Sequence, residues 1–279
     1  MDRNISGLYR QVYHQSQKPQ EKFELELRVD ADGNRPMNIV SGDLYFNQRK
    51  TYFSSFRFKN ISRNKSLQNQ IQIEGKHGEF SSDLKPFEDI LITIPLDSFP
   101  FVATVQWVNR SGTSSACLCK YVSKYFRTIK LEQDSETGTI PFKSYNISNL
   151  YCPNPRRSHK LSIRNVFAEA GIKIQMSKKK KGLVPHPAVT SGQGSIWTDI
   201  KLHKAMIEHL NPLKNKHKWK IWLFSALEYE ISDLRGITLF HKGKKIGSVI
   251  FQNAIGCQGP QENRMLLFVS IHELGHCLR

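Results

Sequence analysis

Two histidines and a glutamate near the end of the chain, in the segment His272-Glu273-Leu274-Gly275-His276, have the residue types and the spacing of a metal site. On a helix, side chains four positions apart lie one turn apart on one face, with Cβ atoms about 6 Å from each other. Both imidazoles can therefore reach one metal ion, and zinc binds neutral imidazole well. Glu273 lies roughly 100° round the helix from His272, so its carboxylate stands beside the metal rather than in line with the rings.

The chemistry that this arrangement supports is hydrolysis of an amide bond by an activated water. Zinc lowers the pKa of a bound water towards neutrality and polarises a carbonyl group. Glu273 would take the proton of the water and pass it to the leaving amine, so it is the candidate catalytic residue; His272 and His276 are the candidate zinc ligands. The alternative is a plain buried helix. With ten histidines in 279 residues, chance produces such a five-residue match in about 2% of sequences, which favours the metal site.

The motif requires a helix, and the pattern predicts one over residues 261–279, directly after Pro260. The helix face that carries the two histidines is apolar in the preceding turns. That part of the face comprises Met265, Phe268 and Val269. Gly275 has almost no side chain, so we expect another segment of the chain to pack closely against the helix at this point.

The segments that precede this helix alternate between helical and extended patterns. Helices are predicted over residues 160–170 and 197–210, the second from the rough 3.6-residue spacing of its apolar positions. Those positions are Trp197, Ile200, Ala205, Met206, Ile207 and Leu210. Strands are predicted over residues 172–174, 219–227, 235–240 and 247–251. His203 and His209 lie on the second helix, and we interpret them as surface or packing residues rather than ligands.

The first half of the chain has a different pattern. After a polar N-terminal arm over residues 1–20, short runs rich in β-branched and aromatic residues follow one another between clusters of Gly, Asn, Ser and Pro. The strands predicted there are 23–29, 39–46, 52–58, 70–74, 90–94, 101–108 and 125–131. Such a series predicts a β-sandwich-like domain over residues 21–145. The turn-rich residues 146–160 are predicted to link it to a second domain, residues 161–279.

Composition limits the classes of partner. The formal net charge is +17, but the basic residues are scattered apart from the run of residues 178–181, and no aromatic residues are interleaved with them. We therefore expect solvated basic surfaces rather than a specific nucleic-acid site. No run of about 18 apolar residues predicts a membrane span. Residues 1–7 have no apolar core of the signal-peptide kind, so the chain as written is expected to be cytoplasmic.

The five cysteines do not form a recognisable framework. Their number is odd and their spacings are irregular, which argues against a disulfide scaffold. Cys117 and Cys119 would lie on the same side of a strand, so we interpret them as buried thiols. Cys277 lies inside the motif helix and is expected to pack against the core.

The motif and its setting resemble a known family. The zincin metallopeptidases carry His-Glu-x-x-His on a helix beneath a small mixed sheet, and the order of elements from residue 160 to residue 279 resembles the N-terminal half of a metzincin-type domain. Three stretches are similar to stretches in uncharacterised bacterial proteins with such a domain. They are Arg35–Asp43, Thr190–Ile200 and His272–Cys277.

The resemblance implies a zinc-dependent metallopeptidase of α+β class, in which an all-β sandwich-like domain precedes a partial zincin-like α/β domain with a mixed sheet. It implies zinc at His272 and His276, with Glu273 as general base and a peptide or protein as substrate. In the family a strand at the sheet edge pairs with extended substrate. The candidate strands are residues 236–240 and 247–251, and Gly247, Ser248 and Val249 are the candidate substrate-binding residues.

The chain departs from the family after the motif. A metzincin has a third histidine six residues after the second, which would fall at position 282, so we expect the domain to be C-terminally truncated and the third ligand to lie beyond Arg279. His217 or His241 is a possible substitute ligand. Two further functions stay open: a catalytically dead zincin-like scaffold that binds a protein partner, and a basic nucleic-acid-binding protein.

Overall fold

The structure, a computed structural model, describes residues 4–12, 24–32, 38–46, 51–66, 69–82, 87–108, 114–139, 142, 144–147, 159–177, 183–184, 196–210, 219–256 and 259–278. The chain divides into two units, Met1–Arg127 and Thr128–Arg279. This division falls before residues 146–160, the linker predicted from the sequence. The difference arises because the last strand assigned to the β domain pairs with strands of the second unit, and a strand run alone does not reveal its pairing partner.

The described residues of the first unit form one antiparallel sheet of ten strands. The strands are β1 (Gly7–Val12), β2 (Glu24–Asp30), β3 (Ile39–Phe46), β4 (Thr51–Phe58), β5 (Ile61–Ser66), β6 (Gln70–Gly75), β7 (Glu79–Phe80), β8 (Asp89–Pro95), β9 (Val102–Val108) and β10 (Ser114–Ser123). Their order in the sheet is β5-β6-β8-β9-β10-β1-β2-β3-β4-β7. Strand β1 lies between β10 and β2, so the polar arm predicted over residues 1–20 in fact contributes a central strand.

Period-two alternation places one face of this sheet in the core. In β8, for example, Ile90, Ile92 and Ile94 are buried and the residues between them are partly exposed. An aromatic group that includes Phe56, Phe58 and Phe87 fills part of the same core. The sheet is one large curled sheet, whereas the sequence predicted two packed sheets. Alternation requires only one buried face, and a curled sheet meets that requirement as well as a sandwich does.

The second unit contains a six-stranded mixed sheet and a two-stranded one. Its strands are β11 (Arg127–Glu136), β12 (Tyr145–Ile147), β13 (His159–Leu161), β14 (Ile172–Met176), β15 (Leu183–Val184), β16 (Lys220–Ala226), β17 (Gly236–His241) and β18 (Lys244–Phe251). The main sheet has the order β14-β11-β16-β18-β17, and β15 also pairs with β11. Strands β11, β16 and β18 are parallel, and β17 is antiparallel to β18 at the end of the sheet.

Three helices cover the two faces of the mixed sheet. They are α1 (Ile163–Glu169), α2 (Asp199–Leu210) and α3 (Pro260–His276), with a short 3-10 helix at Asn253–Ile255. Helices α1 and α3 pack in the core that holds Ile221 and Leu223, and α2 packs in the core that holds Trp222 and Phe224. These residues alternate along β16, so the two cores lie on opposite faces. No helix in the described part of the chain has the length and apolarity to cross a membrane.

A buried ion pair joins the C-terminal end of α2 to the sheet. Lys220 Nζ on β16 lies 2.9 Å from Glu132 Oε2 on β11, and both side chains are almost completely buried. The same ammonium group donates a hydrogen bond of 2.6 Å to the carbonyl oxygen of Leu210, the last residue of α2. Lys220 therefore stabilises the position of a helix and compensates the charge of a buried carboxylate at the same time.

We expect the Lys220→Met variant to lower the free energy of unfolding by about 3 kcal/mol or more, because it leaves Glu132 charged and buried without its cation. The double variant Lys220→Met/Glu132→Leu should recover most of this loss, since an apolar pair of similar volume carries no desolvation cost. Urea unfolding of the three proteins measures both effects. A single variant as stable as the parent protein would contradict the role given to the pair.

Candidate functional site

Helix α3 has one buried side and one exposed side. Its buried side includes Leu266, Leu267 and Leu274 and packs in the core of the mixed sheet. Its exposed side carries Phe268, His272 and His276, which follow one another at intervals of four residues. The sequence predicted that Phe268 belongs to an apolar face leading to the histidines. Phe268 does share their face, but it is 65% exposed and stacks on the His272 ring with centroids 6.4 Å apart, so this face is open to solvent.

The two imidazoles face each other. The Nε2 atoms of His272 and His276 are 3.0 Å apart, and the ring centroids are 4.6 Å apart with an interplanar angle of 87°. Two Zn–N bonds of ordinary length at a tetrahedral angle separate their nitrogens by about 3.3 Å, so the pair has close to the bite of two ligands on one ion. The same distance also suits an N–H···N hydrogen bond between the rings. The arrangement can therefore hold a metal ion or a shared proton.

Glu273 points towards the sheet from the turn that separates the two histidines. Its side chain is buried, and Oε2 accepts a hydrogen bond of 2.9 Å from the Thr238 hydroxyl on β17. The same hydroxyl lies 3.3 Å from the Glu273 carbonyl oxygen. Gly236 makes this approach possible, because a Cβ atom there would lie 2.7 Å from Glu273 Cγ and 3.0 Å from Val269 Cγ1. Strand β17 thus positions the carboxylate that the sequence assigned to catalysis.

Cys277 packs in the core, as the sequence predicted. Its sulfur lies 3.2 Å from Ser248 Oγ and 3.6 Å from the Gly247 carbonyl oxygen on β18. Burial raises the pKa of the Cys277 thiol, with the nearby Glu273 acting in the same direction and the Ser248 hydroxyl acting against it. The thiol therefore fills space between α3 and β18 rather than joining the exposed imidazoles.

The candidate substrate-binding residues Gly247, Ser248 and Val249 lie on β18, which pairs with β16 on one side and with β17 on the other. Ser248 and Val249 are completely buried. A strand with both edges paired has no free backbone groups for an added strand, so these residues do not fit the predicted role. The terminal strand of the sheet is β17, the other candidate, and within the described ranges no strand pairs with its outer side.

The described residues bring no third ligand to the two histidines. They contain no group of three or more His, Cys, Asp or Glu side chains arranged to hold a metal ion. His241, one of the proposed substitutes, instead lies beside His203, with ring centroids 5.8 Å apart. His217, the other substitute, lies outside the described residues.

A groove of about 790 Å³ runs between α2 and β17. Its lining includes two isoleucines of α2 and the residues 237–240 of β17. The sequence assigned Ile200 and Ile207 to the apolar face of α2, but they are 82% and 42% exposed and flank the groove. The buried stripe of this helix is instead formed by Leu202, Ala205, Met206 and Leu210. Their offset from a single 3.6-residue stripe is the signal that could have separated the two isoleucines from the core.

Comparison with known proteins identifies no relative. No protein-family model matches the chain, no curated protein matches it, and no solved structure matches its fold. The functional conclusion therefore depends on the residues of the second unit alone.

Two glycines near the site should respond in opposite ways to alanine. Nothing lies within 4 Å of a Cβ atom at Gly275, which corrects the expectation that a segment packs closely there, whereas a Cβ at Gly247 would lie 2.5 Å from the Met206 sulfur. Gly275→Ala should raise the free energy of unfolding by about 0.5–1 kcal/mol, as alanine replaces glycine in a helix. Gly247→Ala should lower it by about 1–3 kcal/mol through overpacking. Thermal unfolding of both variants tests the pair, and equal effects would contradict the packing described.

Proposed function

We propose that the second unit is the metal- and substrate-binding part of a zinc-dependent peptidase, with His272 and His276 as two zinc ligands and Glu273 as the general base. The observation that carries the proposal is the geometry of the pair: two Nε2 atoms 3.0 Å apart on an exposed helix face, with a carboxylate on the intervening turn. Neither a core helix nor a surface helix requires two imidazoles in this relation. A metal ion supplies the reason for it.

The role of Glu273 follows from its surroundings. A bound zinc ion supplies a polarised water and a Lewis acid for the scissile carbonyl group. The carboxylate accepts the proton of the attacking water and delivers it to the nitrogen of the leaving amine. The hydrogen bond from Thr238 to Oε2 holds the side chain in one orientation, and packing against Gly236 limits its movement. A general base held in this way needs little reorganisation when it takes a proton.

The arrangement of the second unit supports a peptide as the substrate. The resemblance to zincins implies a small mixed sheet above the motif helix, with an edge strand for substrate, and the second unit has a mixed sheet whose terminal strand β17 contacts α3 through Thr238 and Gly236. An extended peptide paired with β17 would pass the carboxylate of Glu273. Pairing through main-chain hydrogen bonds recognises the backbone of a substrate with little dependence on its sequence.

A catalytically inactive scaffold is the second candidate, and one observation favours it. Catalytic zinc sites use three protein ligands, and the described residues supply two. In the peptidase the third ligand would come from outside the described residues. In the scaffold the two imidazoles would bind metal weakly or share a proton, and the sheet edge would bind a protein partner without cleaving it.

Zinc binding tests the ligand assignment. We expect one zinc ion per chain, and we expect His272→Ala or His276→Ala to weaken zinc binding by at least about 100-fold, because each variant removes one of the few protein ligands. His203→Ala is the matched control, since it removes a histidine on α2 that contacts His241 instead. Competition against a chromophoric chelator measures the affinities. Equal zinc affinity in the parent protein and both site variants would remove the metal site.

Cleavage of an unfolded protein substrate tests the reaction. Glu273→Gln should lower kcat/KM by about 100-fold or more, because the amide cannot accept the proton of the water, and it should keep its zinc. Thr238→Val should reduce kcat more than it changes KM, since it releases the carboxylate without removing it. Zinc bound stoichiometrically by a parent protein that cleaves nothing would favour the scaffold over the peptidase. Unimpaired cleavage by Glu273→Gln would show the base to be another group.

A further inference from the structure

The groove between α2 and β17 is not required by the proposed zinc chemistry. It lies on the α2 side of the mixed sheet, whereas Glu273 contacts β17 from the α3 side. Its walls are largely apolar, with Ile200 and Ile207 on the helix and Ile237 and Leu239 on the strand. An apolar side chain that is 82% exposed, like that of Ile200, gains stability when a ligand covers it.

The strand wall of the groove is also the terminal strand of the sheet. Residues 237–240 of β17 line the groove, and within the described part of the chain the outer edge of β17 carries no paired strand. An unpaired edge presents a row of backbone N–H and C=O groups that only another extended backbone satisfies in register. An apolar wall beside such an edge therefore fits an extended polypeptide better than a compact small molecule.

The side chains of an added strand would alternate between the two faces of the sheet. Every second side chain would enter the groove against Ile200 and Ile207, and the others would face α3. Thr238 connects the two sides, because it lines the groove and donates its hydroxyl hydrogen to Glu273. A strand that fills the groove is thereby placed beside the carboxylate.

We propose that this groove binds an extended peptide as an additional strand on β17 and selects peptides that carry large apolar side chains at every second residue. Such peptides would be the substrate class of the proposed peptidase, and the proposal rests on that function only in treating the bound peptide as a substrate. The binding itself involves neither histidine of α3 and requires no metal.

The experiment uses the full chain treated with a chelator and a fluorescent peptide in which leucine and threonine alternate. Fluorescence anisotropy measures its affinity against a peptide of the same composition whose leucines stand in adjacent pairs. The double variant Ile200→Lys/Ile207→Lys should bind the alternating peptide at least about tenfold more weakly, because each lysine places a charge at the apolar wall. Ile231→Lys is the matched control: Ile231 is 59% exposed and does not line the groove.

Backbone methylation tests the pairing on β17. Successive amides of a strand point to opposite edges, so methylating alternate nitrogens blocks one edge and leaves the other free. One set of N-methyl groups should abolish binding, and the set shifted by one residue should leave it unchanged. Equal binding of the two methylated peptides would overturn strand addition, and equal binding of the alternating and paired-leucine peptides would overturn the apolar selection.

Two further measurements distinguish the groove from the metal site and from a dimer interface. His272→Ala should lose zinc and keep its affinity for the alternating peptide, so failure of the parent protein to bind zinc, with the peptide still bound, would remove the proposed metal site and leave the groove in place. Sedimentation of the unliganded chain tests whether a second copy fills the groove. A dimer that Ile200→Lys/Ile207→Lys converts to a monomer would overturn the peptide as occupant.

Discussion

The packing of α3 against β17 and β18 is the constraint on which the candidate site depends. Leu266, Leu267 and Leu274 hold one side of the helix in the core, and this fixes the rotation of the helix about its axis. Once that rotation is fixed, helical geometry directs His272 and His276 to solvent one turn apart and directs Glu273 to the sheet. The three functional side chains therefore owe their directions to core residues that take no part in any chemistry.

The sequence predicted the features that depend on local pattern. The strands at residues 39–46 and 70–74 and the motif helix are found within a few residues of their predicted bounds. The facing pair of imidazoles also follows from local geometry, since helical spacing alone brings residues four apart together. Its predicted function, in contrast, concerns a metal and a reaction that the fold does not test.

The features that the sequence did not predict depend on contacts between distant segments. Strand β1 lies in an arm whose polar composition suggests no structure, but it pairs with β2 and β10 on its two sides. The division between the units follows the pairing of β11 with β16, which are about ninety residues apart. The contact of Thr238 with Glu273 is of the same kind, because nothing near either residue in the sequence indicates the other. Pairing partners are long-range information that composition and periodicity do not carry.

The hydroxyl group of Thr238 has a consequence for how binding and reactivity would be linked. It belongs to the outermost strand of the sheet, which is the strand with the fewest neighbours to restrain it, yet it orients a buried carboxylate on the helix. Any molecule that stiffens this outermost strand reduces the motion of the acid group as well, because the two share one hydrogen bond. Occupancy of the sheet margin would in this way be transmitted to α3 as a loss of mobility, without any change in the average structure.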